Sequence, residues 1–317
     1  MTFSKCVFLV SVAMFAAFST LTVQAQDNYP SKMIRIVTAA PGSNNDWGAR
    51  LVADDLGKKL GQRVIVENRG SLGVEHVAKD APADGYTLLF YGSIAWLQPF
   101  LTKVRWDPVN DLAPITLSMR SPNVLVVHPS VPVKSTKELI SQARAHPGKF
   151  NYGAGGAGAS PHLAGELFKY MANLKIVRVN YKGTGPSMVG LLSGEVDMMF
   201  PGLGSIAPHI KSGKVKALAV TTPERSPLAP ELPTVAEVLP GYQSVSVIGF
   251  FAPGKTPAAI INRLNREINA TMRDTDAKRL ADSGVEAVTT TPDEFRDLIK
   301  SEIDRMQKVF KSAGFNN

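Results

Sequence analysis

The sequence predicts an α/β protein of two lobes, each a doubly wound sheet with flanking helices, with the second lobe inserted into the first. Three observations carry this expectation. Short apolar strands alternate with helical patterns along most of the chain, which is the mark of a doubly wound layer. Removing an expected 25-residue leader from 317 residues leaves 292, about two domains' worth at ~150 residues each. Two extended, β-branched stretches, Leu112 to Val127 and Val245 to Ala252, are placed to cross between the lobes. The expected divisions are a leader over 1–25, a first lobe from 26–122 and 245–317, and a second lobe from 123–244, with a hinge at the two crossings.

The leader follows from its pattern. Lys5 gives a positive start, Val7 to Phe18 is an apolar run too short for the ~20 residues of a bilayer span, and Val23-Gln24-Ala25 fits a cleavage site. An exported, periplasmic protein is expected. The single cysteine, Cys6, leaves with the leader, so disulfides and thiolate chemistry are excluded from the remainder. The formal charge of +8 is spread without basic runs or interleaved aromatics, which excludes a nucleic-acid surface and leaves a mild preference for anionic ligands.

The first lobe opens with a strand, Ile34 to Thr38, followed by Pro41-Gly42-Ser43-Asn44-Asn45-Asp46-Trp47. Pro41 and Gly42 make the turn, and Asn45 or Asp46 caps a helix carrying Leu51, Val52, Leu56 and Leu60 at helical spacing. Trp47 belongs to the core or forms a stacking wall. A strand from Val64 to Glu67, a helix from Gly73 to Lys79 and a strand from Tyr86 to Tyr91 follow, and Ser93 lies just past the carboxyl end of that last strand. Doubly wound sheets bind ligands at that edge.

The second lobe is organised around Asn151 to His162, N-Y-G-A-G-G-A-G-A-S-P-H. A turn joining strand to helix explains one or two of its four glycines. Four within six residues, with Ser160 as helix cap and Pro161 at the first helical position, describe a bare backbone leading into a helix N-terminus, which suits an anion. The spacing also reads G-x-G-x-x-G. However, the preceding H-P-G-K-F-N is too short and polar for the buried strand of a dinucleotide site, and the next strand, Lys175 to Tyr181, ends without the acidic residue that would hold a ribose. Lys182 to Pro186 forms a turn, with a helix through Leu192. A strand from Glu195 to Phe200 meets Pro201-Gly202, and Lys216 to Thr221 is one more strand. C-terminal helices from Thr256-Pro257 to Arg273 and from Asp293 to Lys311 pack back on the first lobe.

Catalytic patterns are missing. The five histidines, His76, His128, His146, His162 and His209, have no metal-ligand spacing, and there is no nucleophile elbow or P-loop. No cofactor and no metal are expected. His162, two positions behind Ser160, is read as a structural or ligand-facing donor.

The stretches Y-P-S-K-M-I-R-I-V, V-I-V-E-N-R-G, A-D-G-Y-T-L-L, P-N-V-L-V-V-H-P-S, S-P-H-L-A-G-E-L-F, V-N-Y-K-G-T-G-P and R-S-P-L-A-P-E-L-P-T-V-A-E resemble the extracytoplasmic receptors of tripartite tricarboxylate transporters, the TctC or Bug family. The likeness is collinear over essentially the whole chain after the leader. It implies a type II periplasmic-binding-protein fold, a monomer that is not an enzyme, a small carboxylate ligand held between two turns, and delivery to membrane permease subunits. The first family turn maps onto Pro41 to Asp46 and the second onto Gly155, Gly156, Ala157, Gly158, Ala159 and Ser160, with His162 behind. Two departures bear on the ligand. The usual P-G-G is Pro41-Gly42-Ser43, and the usual Asp-Asn after the strand at Met198–Phe200 is Pro201-Gly202. Without that aspartate a ligand ammonium lacks its counter-charge, so an amine-free di-, tri- or aromatic carboxylate is expected, with Trp47 and Trp96 leaving room for a ring. Two rivals stay open: an enzyme acting on a carboxylate on the same scaffold, and a sensory receptor without a dedicated permease.

Overall fold

The computed structural model describes residues 29–41 and 43–312; the expected leader and Gly42 of the first turn lie outside the described residues. In chain order the elements are β1 (Ile34–Thr38), α1 (Asn44–Leu60), β2 (Val64–Asn68), α2 (Leu72–Glu75), β3 (Thr87–Gly92), α3 (Ile94–Leu97), β4 (Leu112–Pro122), β5 (Val124–Val127), α4 (Thr136–Ala145) and β6 (Asn151–Ala154). There follow α5 (Ser160–Ala172), β7 (Val177–Asn180), α6 (Thr184–Ser193), β8 (Met198–Met199), α7 (Leu203–Lys211), β9 (Lys216–Val220), β10 (Val245–Pro253), α8 (Ala258–Asp274), α9 (Ala277–Asp282), β11 (Glu286–Ala287) and α10 (Pro292–Ser312).

These strands form two sheets. The first has the order β11-β4-β10-β3-β1-β2 and the second β7-β6-β8-β5-β9. β1 runs parallel to both β2 and β3, and β6 runs parallel to β7 and β8. A strand with parallel neighbours is covered on both faces, which is why Ile34, Ile36 and Val37 are all fully buried. The long extended segment divides at Asn123, with β4 in the first sheet and β5 in the second, and β10 returns between β3 and β4. Thr221 stitches the two crossings together. Its Oγ1 donates to the carbonyls of Asn123 (3.0 Å) and Ser244 (2.5 Å), and the Ser244 amide donates to the Thr221 carbonyl (3.0 Å).

Three elements differ from expectation. Asn151–Ala154 is a strand rather than the start of the turn. Gly153 is needed inside it because a Cβ there would lie 2.6 Å from Ser187 Oγ of α6 and 3.1 Å from Val196. The residues after Gly202 form α7, a helix with Pro208 inside it that has no counterpart among the expected elements. The last helix, α10, packs on β4 of the first sheet and also on α5 of the second lobe. Among the described residues no helix is long and apolar enough to cross a membrane.

The middle of β10 shows how tightly α10 is seated. A Cβ on Gly249 would come within 2.5 Å of two ring carbons of Phe295 and 2.7 Å of the Thr116 carbonyl. G249A is therefore expected to destabilise the protein by about 3 kcal/mol, the upper end of overpacking costs; thermal or urea unfolding measures it.

Candidate functional site

The starts of α1, α5, α6 and α7 border a cavity of about 590 Å³ between the two sheets. Each of these helices follows a strand with a parallel neighbour (β1, β6, β7 and β8), so their first amides come to the carboxyl edges of the sheets. The first N–H groups of a helix have no partner within it, and the helix dipole makes that end positive.

At α1 the cap is Ser43, not Asn45 or Asp46. Ser43 Oγ accepts from the Asp46 amide at 3.2 Å and donates to the Ala40 carbonyl at 2.8 Å. A cap must have extended backbone, and Ser43 is the residue with it (φ −79°, ψ 162°). Pro41, Ser43, Asn44 and Asn45 line the cavity. Asp46 does not. Its buried carboxylate accepts from Arg50 Nε (2.9 Å) and Asn68 Nδ2 (2.8 Å), and Asn68 also donates to the Ala39 carbonyl, so Asp46 fixes the turn to the end of β2. Trp47 is half-buried against the core under α1 and is absent from the cavity wall.

In the glycine turn only the end faces the cavity: Ala159, Ser160 and Pro161 line it, whereas Gly155, Gly156, Ala157 and Gly158 stand behind. The cap of α5 is Ala159, without a side-chain bond. Ser160 is the first helical residue, and its Oγ accepts from Asn123 Nδ2 at 2.7 Å. Gly155 approaches the Gly183 backbone too closely for a side chain (3.1 Å), and Gly158 takes φ +82°. Ser93 lines the cavity, but its hydroxyl donates to the Gly158 carbonyl at 2.8 Å and thereby joins the lobes.

His162 is fully buried and is not a ligand-facing donor: its Nδ1 accepts from the Gly158 amide at 3.1 Å. Burial foremost, then the charges of Arg178 and Lys169, lower its pKa to about 3. The ring is therefore neutral at physiological pH. Pro201 is buried behind the wall, with its carbonyl accepting from the Val124 amide, while Gly202 and Ser205 at the start of α7 line the cavity. Asn44 Nδ2 lies only 3.3 Å from where a Cβ on Gly202 would stand, so the first turn meets α7 across the cleft.

Several lining residues lie outside the expected set. Lys182 lies in the turn before α6 and Thr184 begins that helix, a stretch read from sequence as a connection. Among the described residues Lys182 is the one lining residue with a charged side chain. Asn123, Tyr91, Ile94, Met188, Ser246 and Ile248 also line the cavity; a proline-flanked asparagine in an extended run and apolar side chains give no sequence signal of a site. Trp96 is core, 1% exposed, with its Nε1 donating to Glu302 Oε2 at 2.8 Å, so the ring-sized space expected beside it is filled. Among the described residues no group of His, Cys, Asp and Glu could hold a metal ion. Among the described residues the lining carries Lys182 and no carboxylate, beside apolar side chains such as Ile94, Met188 and Ile248, which suits an anion.

Comparison with known proteins places the chain in a family and a fold. The family described as "Tripartite tricarboxylate transporter family receptor" (TctC) matches residues 48–315. BugT of Bordetella pertussis is 36% identical over 298 residues, covering 91% of each chain. The solved structure of Rpa4515 from R. palustris with adipate is 34% identical, with a TM-score of 0.80 over 90% of this chain and 98% of that one. MatC from Rhodopseudomonas palustris with bound malate is 30% identical, with a TM-score of 0.79 over 89% and 99%. The shared architecture is the two-lobed type II periplasmic-binding-protein fold.

The Trp96–Glu302 contact yields a pH prediction. Burial raises the Glu302 pKa, and the Trp96 N–H and Arg305 offset this only in part. The folded state therefore favours the protonated acid, and stability is lost as pH rises from the ordinary glutamate value of about 4.3. E302Q, which can still accept from Trp96, should match the native chain near pH 4 and exceed it at neutral pH by about 2–4 °C in Tm, the effect of ~1 kcal/mol in a chain of this size.

Proposed function

This chain belongs to the tripartite tricarboxylate transporter receptor family, and from that premise we propose that it captures an amine-free organic carboxylate between its lobes in the periplasm and presents it to membrane permease subunits. The lobes are 26–122 with 245–317, and 123–244, and the paired crossings stitched by Thr221 serve as the hinge. The observation that carries the reading is the lining of the cavity: four helix starts and Lys182, with no acidic side chain.

The chemistry follows from counting donors. At α1 the Asn44 and Asn45 amides precede the capped Asp46 amide. At α5 Ser160 contributes its main-chain N–H group ahead of Pro161, which has none. At α6 Thr184 and Gly185 precede Pro186. Each helix end attracts an anion by about 0.3–1 kcal/mol when exposed and up to ~2 kcal/mol when partly buried. Closure removes water from between these ends and strengthens each attraction. An ammonium in the same basin would meet Lys182 and no carboxylate, and desolvating it there without a counter-charge is costly. Receptors related to this chain hold adipate and malate, which supports an acid of that general kind. Catalysis has no assigned role, because the histidine nearest the site is buried and engaged with the glycine turn.

Isothermal titration with adipate, malate, benzoate, aspartate and glutamate tests the proposal. At least one amine-free acid is expected to bind and the two amino acids are not. K182Q should weaken that binding about fivefold, the ~1 kcal/mol of an exposed ion pair. Tight binding of aspartate or glutamate with none of the amine-free acids would overturn it.

A further inference from the structure

Behind the glycine turn, on the side away from the cavity, lies a cation that the capture of an anion does not yet use. Arg178 projects from β7, the edge strand of the second sheet. Its Nη2 donates to the Gly155 carbonyl at 3.1 Å, its Nη1 lies 2.9 Å from His162 Nε2, and its Nε is buried without a hydrogen-bond partner. Glu166 on α5 is already committed: it accepts from Lys169 Nζ (2.9 Å) and from the Tyr152 hydroxyl of β6 (2.6 Å). The groups around the His162 ring are thus Arg178 from β7 and the Lys169–Glu166 pair from its own helix, with Tyr152 bound to that pair.

The imidazole links Arg178 to the far end of the turn. A neutral ring accepts a hydrogen bond at one nitrogen only, so the Gly158 amide at Nδ1 and the guanidinium at Nε2 compete for a single lone pair. Arg178 thus holds the Gly155 end of the four-residue loop directly and faces the ring that meets its Gly158 end, so it bears on where the Ala159 and Ser160 amides stand. A guanidinium keeps its charge at any working pH, so it also adds a fixed positive potential behind those amides.

We infer that Arg178, acting through His162 and Gly155, is a positioning residue for the bound anion, and that the anion in the cleft is its counter-charge. This rests on the carboxylate reading, so its test has one arm without ligand. In the ligand-free full chain, ¹⁵N–¹H spectra follow the protonation of the His162 imidazole in native, R178M and R178K forms. In parallel, calorimetry measures adipate and malate at low and high salt.

His162 should stay neutral throughout from about pH 5 to 8 in the native chain and take up its proton at a higher pH in R178M, because a neighbouring cation that disfavoured the charged ring is gone. R178M should bind adipate or malate about tenfold more weakly, with the gap narrowing at high salt as the lost charge is screened. R178K keeps the charge without the planar fork and should recover about a third or more of the native affinity at low salt. R178M binding within about twofold of native at low salt, or a His162 titration unmoved by the substitution, would overturn the inference. If the native chain binds neither acid nor any other amine-free acid, the carboxylate reading falls, and the spectra alone decide whether Arg178 governs the ring.

Discussion

A helix cannot satisfy its own first amides, and the arrangement of this molecule turns on where those amides are put. Parallel pairing of β1, β6, β7 and β8 with their neighbours forces each following helix to begin at the carboxyl edge of a sheet. The two sheets are joined so that these edges look at one another across a single cavity. The donors are main-chain groups, fixed by the fold rather than by rotamers, so an anion that enters meets an array requiring little reorganisation. Side chains finish the arrangement. Ser43 accepts from the Asp46 amide, and Asn123 donates to the Ser160 hydroxyl.

Much of this is legible in the residues, and what is not has identifiable physical reasons. The strand–helix alternation, the crossings at Leu112 to Val127 and Val245 to Ala252, and the turns that lead into the helices at Asn44 and Ser160 all follow from periodicity and capping chemistry. The exact cap does not, because Ser43, Asn45 and Asp46 are all good caps and tertiary contacts choose between them; Asp46 is drawn off by Arg50 and Asn68. His162 and Ser160 illustrate the same limit. Their spacing places them at the right turn, but whether a side chain faces the ligand or the loop depends on partners such as Arg178 and Asn123, distant in sequence. Trp96 was a plausible wall until Glu302, over two hundred residues away, claimed its N–H. Lys182 went unread as a site residue because a lysine in a turn ordinarily only meets water.

The glycines show why a motif alone is a weak guide. Four of them sit in six residues, and three of these answer three different demands. Gly153 makes room for α6, Gly155 lets the turn touch the next one, Gly158 takes a left-handed backbone, and Gly156 has open space where a side chain would go. None lines the cavity. The loop serves the ligand indirectly, by delivering Ala159 and Ser160 to the right place.

The last helix adds something to the mechanics of the pair of lobes. Because α10 rests on β4 and on α5 at once, and Arg305 reaches from it to the carbonyl of Gln243 beside the return crossing, the lobes are joined by a strut as well as by two strands. Any widening of the mouth must roll α5 along this helix or strip it away, and stripping would expose apolar surface to water. In the proposed capture role α10 would thus brake the jaw's swing, and side chains along it far from the cleft would set how long a captured molecule stays.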